Sequence, residues 1–404
     1  MIKHYGISSL LIILYVFCAI LFYGSSFTTL AQIVGVLTAI VFFIEVILVI
    51  KIKLISNIKK YFYPSLIITI LSFFSLLHLQ GAESKFLTLV QVNVLSFILI
   101  YKTISDPKVF KQILFSYVAA LFIGSLFSFG EIDLERDGGV FGSAVNLYGT
   151  AINLGTLFSC FLLLDYFSST NSSKLSRLNF FLYVSFLLCT LLFFAKKVFF
   201  DIGSKKALII FIIIIIFFLF SMPKKYIKKQ VILFSLIIFY FGSSLITNFT
   251  NSNHFYRFQE FYGYLFYSNN NNTVDLSTNN RLDMINLAFE RFWMSPIFGY
   301  GIDSFRILTD YTHYSHNNFV EILHNFGLIG FLTYYYIYFV ILYFVLSKWK
   351  YLFKKDRFLI LAAVLCLLLN DLTVVSYYVK VPMILLSILI GRFIFLKQEL
   401  LNGR

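Results

Sequence analysis

The residues best suited to chemistry are crowded into positions 281–330. His316, Asn317, Glu321 and His324 fall within about two helical turns, and Asn317, Glu321 and His324 follow the i, i+4, i+7 spacing of one helix face. An imidazole is the side chain best matched to proton transfer near neutral pH. Ionisable residues where a polar segment meets a long apolar run are functional candidates by default, although a polar cap on a membrane helix would also account for His316 alone. Upstream, Arg281 offers a fixed fork of donors suited to phosphate oxygens. Arg136, Lys205, Lys206 and Arg257 are further cations in the segments that share its side. Ion pairing to Asp275, Asp283, Glu290 and Asp303 is the structural alternative for each basic group there. A metal site built from His313, His316 and His324 is the competing use of the histidines, but the paired spacing of a helical zinc motif is absent and no metal is expected. Gly299-Tyr300-Gly301 lacks a preceding strand and a third glycine, so a nucleotide-binding turn is rejected.

The elements that must hold these residues are membrane helices. Of the 404 residues 59% are hydrophobic and only 13% charged, too apolar to be hidden in a soluble core and too poor in charge to cover one. The apolar residues come in runs of roughly 17 to 25, the length that crosses a hydrocarbon layer, and backbone groups in lipid are satisfied within a helix. The short alternating strands of a barrel are not found. About twelve spans are expected, at 7–23, 27–50, 61–79, 86–104, 110–129, 145–167, 179–195, 207–221, 231–248, 326–346, 358–374 and 381–396. The first run is read as a retained span, since no small-residue cleavage site follows it.

Lysine and arginine set the expected threading. Lys51 to Lys60, Lys102 to Lys111, Lys174 with Arg177, Lys224 to Lys229 and Lys348 to Arg357 occupy alternate loops. Those loops and both termini are therefore assigned to the cytoplasm, and the net charge of +14 is mostly a topology signal. The basic residues are scattered over short loops, so no nucleic acid is expected as partner. The other face carries short hairpins and one long segment, 249–317, taken as an outer loop of a single 1–404 membrane domain. Within it Leu282, Ile285, Phe289 and Phe292 mark one face of an amphipathic helix that ends before Pro296, with Trp293 as an interfacial anchor. Cationic groups there fit an anionic substrate, above all a lipid diphosphate. Cys18, Cys160, Cys189 and Cys366 all lie in apolar runs and read as filler rather than disulfides or ligands.

At these residues the chain resembles the O-antigen ligase and polymerase superfamily of bacterial envelope assembly. His316-Asn317 followed by Gly327-Leu328-Ile329-Gly330 carries the resemblance most strongly. Arg281 with the helix after it and the Pro296, Gly299, Gly301 turn comes second. Arg136-Asp137-Gly138 with Gly142 and Asn146 is a looser third. Many members carry Ser-Arg at the start of the eighth span, where this chain has Ser204-Lys205-Lys206, so a lysine would have to stand in for that arginine. The resemblance implies a membrane glycosyltransferase of the bacterial cytoplasmic membrane. It would use an undecaprenyl-diphosphate-linked oligosaccharide, without cofactor or metal. Arg281, with Arg136, Lys205 or Lys206 and Arg257, would neutralise the diphosphate. His316 would take the acceptor proton, and Asn317 and Glu321 would orient it or bind sugar hydroxyls. A chain-length regulator and a flippase are the partners it suggests. The wording around 296–301 and 315–319 favours a polymerase, which extends a lipid-linked repeat unit, over a ligase acting on lipid A core. Twelve spans also suit a transporter or flippase, but the two halves of the chain differ.

Overall fold

The computed structural model describes residues 6–22, 28–49, 52–127, 145–168, 177–198, 204–222, 276–311 and 314–402. Among them the chain is all α, a bundle of thirteen helices: α1 Ile7–Leu21, α2 Thr28–Val49, α3 Ile52–Ser75, α4 Glu83–Ser105, α5 Pro107–Phe127, α6 Val145–Ser168, α7 Arg177–Lys196, α8 Lys205–Ser221, α9 Leu276–Phe292, α10 Ser304–Leu308, α11 Asn318–Ser347, α12 Lys354–Asp371 and α13 Lys380–Leu401. Six are long and apolar enough to cross a membrane, and four more are shorter apolar helices. Eleven of the expected spans fall on helices; the ninth, 231–248, lies outside the described residues.

Two boundaries differ from expectation for physical reasons. The third helix begins at Ile52 rather than 61, because the lysine-bearing stretch before the apolar run continues the helix. The helix expected from 326 begins at Asn318. Its first two turns are polar, and Asn318, Glu321, His324 and Asn325 are all buried there against polar partners instead of ending the helix.

Helix α6 is the axis of the bundle and packs on α5, α7, α8, α12 and α13. Its small and polar residues permit close approach. A side chain at Gly155 would collide with Phe194 and Leu121, and Asn153 donates to the Ala207 carbonyl of α8 at 3.0 Å.

The charges sort the bundle into two ends. At one, Asp165 ending α6 pairs with Lys111 of α5 at 2.5 Å and Lys355 of α12 at 2.6 Å. There too Asp356 pairs with Arg392 at 2.6 Å, Lys397 donates to Tyr61, and Glu45 accepts from Lys102 and from Ser8 near the start of the chain. At the other end the start of α8, the end of α12 and the start of α11 come together.

Candidate active site

The opposite end is organised by a break in α11. At Gly327 the backbone turns to φ 61, ψ −162, which removes the helical bonds from Leu328 to His324 and from Ile329 to Asn325. The turn at 296–301 replaces them from outside the helix. The Leu328 and Ile329 amides donate to the Pro296 and Ile297 carbonyls at 2.8 and 3.3 Å. Tyr300 and Gly301 donate in turn to the His324 and Asn325 carbonyls at 3.0 and 2.6 Å. A broken membrane helix is tolerated when neighbouring groups satisfy its backbone in this way. The glycines make the close approach possible. A Cβ at Gly299 would stand 2.5 Å from the Asn325 carbonyl carbon, and one at Gly327 would stand 2.3 Å from the Ile297 oxygen. The motif glycines are thus two faces of one joint.

Below that joint lies a buried polar cluster. Asn325 Nδ2 donates to Glu321 Oε1 at 3.2 Å and to the Tyr377 hydroxyl at 3.0 Å. Ser304 donates to Asn325 Oδ1 at 2.8 Å and meets His324 Nδ1 at 3.1 Å. His324 is sealed in the core, with Tyr300 stacked on its ring. It is placed to hold the joint rather than to meet a substrate.

Glu321 is 1% exposed, and both of its oxygens are occupied: the second accepts from the Ser315 amide at 2.8 Å. That bond fixes the backbone one residue before His316. The Ser315 hydroxyl donates to the Asn317 carbonyl at 3.1 Å. Asn317 Oδ1 caps α11 by accepting from the Phe319 and Val320 amides at 3.0 and 3.2 Å. Held between these anchors, His316 adopts φ 56, a left-handed conformation that costs a non-glycine residue about 1–2 kcal/mol. Such strain persists only where the surroundings impose it. Its ring lies against Tyr314, 4.6 Å between centroids.

Three other elements face this turn. Lys206, in the first turn of α8, donates to Asn370 Oδ1 at 3.0 Å. The same oxygen accepts from Thr150 of α6 at 2.5 Å, and the Asn370 amide donates to Ser376 at 3.0 Å. Asp371 is fully buried; it accepts from Tyr335 at 2.9 Å, and its charge acts on Lys206. Asn318 bridges Tyr335 and the Ser376 amide at 3.1 and 2.8 Å. On α9 the exposed Arg281 lies within electrostatic range of Lys206. The Tyr314 phenol feels both sides. Burial pushes its pKa up, Glu321 pushes it further, and Arg281 pulls it back. Arg281 has no ion-pair partner among the described residues.

Of the expected site residues, Arg281, Lys206, His316, Asn317 and Glu321 therefore gather at one end. Arg136, Arg257 and His313 lie outside the described residues, as does the side chain of Lys205. Among the described residues no group of three metal-ligating side chains is close enough to hold an ion. Two other cations of the same end have structural partners. Arg306 pairs with Asp303 at 2.5 Å, and Arg291 donates to the Leu308 carbonyl at 3.0 Å while lying over Tyr300. Asn318, Asn370, Asp371 and Ser376 were not among the expected site residues. The signal available for the first three was two polar pairs, Asn317-Asn318 opening an apolar run and Asn370-Asp371 closing one.

The family model for O-antigen ligase matches residues 191–335, a stretch that holds Lys206, Arg281, His316 and the whole helix joint. The looser resemblance at 136–155 lies outside it. No curated protein matches the chain. The match, over about a third of the chain, supports the O-antigen ligase/polymerase superfamily, and six of the described helices are long and apolar enough to cross a membrane.

Proposed function

We propose that the protein is an envelope polysaccharide polymerase. It transfers a glycan from undecaprenyl diphosphate to the terminal sugar hydroxyl of a second lipid-linked unit. The basic end of the bundle faces the cytoplasm, as charge bias favours, so both termini are cytoplasmic and the site opens at the outer face of the inner membrane. The observation that carries the reading is a shared end: Arg281 lies within electrostatic range of both Lys206 and Tyr314, and the Tyr314 ring lies against His316 at 4.6 Å. Two cations brought together in a partly dehydrated site are stabilised by an anion between them. A diphosphate supplies that anion, and its negative charge grows as its bond to the sugar breaks.

The chemistry divides among these groups. The acceptor hydroxyl oxygen attacks the anomeric carbon of the donor glycan, and the bond from that carbon to the diphosphate oxygen breaks. His316 receives the hydroxyl proton; Arg281 and Lys206 hold the departing undecaprenyl diphosphate. General-base help and charge stabilisation are each worth on the order of a hundredfold or more. Glu321 and Asn317 position His316 through the backbone. Lys206 is itself positioned by Asn370 and charge-balanced by Asp371, and of Lys205 and Lys206 it is the one we assign to stand in for the arginine that many members carry beside the serine. Arg136, Lys205 and Arg257 are further candidates for the diphosphate and glycan.

A ligase reading, with lipid A core as acceptor, uses the same groups. The lipid-linked products of a deletion strain separate the two. A single repeat unit accumulating on the carrier or on the core supports the polymerase. Full-length polymer stranded on the carrier supports the ligase.

A further inference from the structure

The membrane depth of the 293–298 turn can be worked out from α11. The exposed apolar residues Leu328, Leu332, Tyr336, Phe339, Tyr343 and Leu346 recur every three or four positions and so form one stripe. At 1.5 Å per residue the stripe is about 27 Å long, close to the roughly 30 Å of a hydrocarbon layer. That length fits a stripe that faces lipid. Leu346 then marks one border of the bilayer and Leu328 the other. Trp349, three residues beyond Leu346, lies half-exposed beside Arg357, as interfacial tryptophans do.

The turn is bonded directly to the opposite end of the stripe, through the amides of Leu328 and Ile329. Trp293, Met294, Ile297 and Phe298 are all more than half exposed there. Large apolar side chains in such a cluster mark a surface that meets a partner or a membrane. Continuity with the lipid-facing stripe decides between these. We infer that the 293–298 turn is sunk into the leaflet at that border, with bilayer acyl chains as its partner. The turn is hydrogen-bonded across the helix joint, so this anchor sets the depth of the joint and of the polar cluster beneath it. This inference is independent of which glycan is transferred.

The chain has two tryptophans, so Trp349→Phe leaves Trp293 as the sole indole emitter; Trp349→Tyr serves if the phenylalanine variant folds poorly. The purified full chain is placed in phosphatidylethanolamine and phosphatidylglycerol vesicles whose acyl chains are brominated either near the headgroup or near the methyl end. A ring seated about 5–10 Å into the boundary should lose more of its emission to the shallow bromines than to the deep ones, with little loss to aqueous iodide. Strong iodide quenching without bromine quenching would place the turn in water and overturn the inference. Shielding from both quenchers would put protein over the patch, a second copy or a folded-back segment, and would overturn it equally. The readout needs no substrate, so its failure is separate from any failure of the proposed transfer.

Discussion

Replacing Gly327 by alanine should unseat the 296–301 turn and stop catalysis without removing the protein from the membrane. At φ 61, ψ −162 the backbone is in a region almost closed to residues with a Cβ, at a cost of about 1–3 kcal/mol. The added methyl would also stand 2.3 Å from the Ile297 oxygen and 2.7 Å from the Phe298 nitrogen. Both are backbone atoms, which cannot swing aside as a side chain can. Relief requires the turn to lift, and lifting breaks the bonds of Leu328, Ile329, Tyr300 and Gly301. At about 1 kcal/mol net each these are worth roughly 4 kcal/mol, a change of about a thousandfold in the ratio of seated to lifted turn. Hydrogen exchange by mass spectrometry on the reconstituted protein reads this directly. Protection at 300–301 and 328–329 should fall in Gly327→Ala while the amides of α6 keep theirs. Gly299→Ala breaks the same joint from the other side, so the double variant should cost much less than the sum of the singles. Wild-type protection in Gly327→Ala, or additive effects in the pair, would refute the joint.

Glu321→Gln keeps the shape but weakens a charged acceptor of the Ser315 amide. A loss of about 1.5–3 kcal/mol in holding His316 should appear as a tenfold to hundredfold fall in transfer rate, with KM for the lipid-linked donor nearly unchanged and protein level normal. Lys206→Arg should retain far more activity than Lys206→Met, because the position needs a cation; polymer yields in a complemented deletion strain compare them. Asp371→Asn leaves Lys206 without its nearby carboxylate and should weaken donor binding more than it slows turnover, read as KM against kcat. Replacing Cys18, Cys160, Cys189 and Cys366 together by alanine should leave transfer intact, with some loss of thermal stability from the buried positions.

Much of the fold was legible because a bilayer imposes long apolar runs and helices to carry them. Arg281, His316 and Glu321 stood out because polar residues cluster at the edge of one such run. The length of α11 was not legible. Hydropathy marks only the apolar part of a helix, and the polar turns 318–325 are helical because Ser304, Ser315, Ser376 and Tyr377 satisfy their side chains from distant positions. The joint was half legible: Pro296, Gly299, Gly301 and Gly327 were visible as turn residues and motif glycines. That they form one contact depends on backbone pairing across some thirty residues, which no local pattern encodes. Asn370 and Asp371 closed their apolar run without any local sign that they face Lys206. The apolar face read at 282, 285, 289 and 292 proved to be divided. Phe292 is buried, while Leu282 and Phe289 are exposed, as suits a helix at an interface rather than in a core.

The central claim is that Arg281 and Lys206 grip a lipid diphosphate while His316 deprotonates a sugar hydroxyl. Vesicles holding purified protein, with lipid-linked repeat units supplied at the site-bearing face, test it most directly. Wild type should lengthen the glycan. Arg281→Ala and His316→Ala should give no products longer than the starting unit, and Arg281→Lys only traces, since a lysine cannot make the bidentate contact. Near-normal chain lengths in either alanine variant would contradict the account.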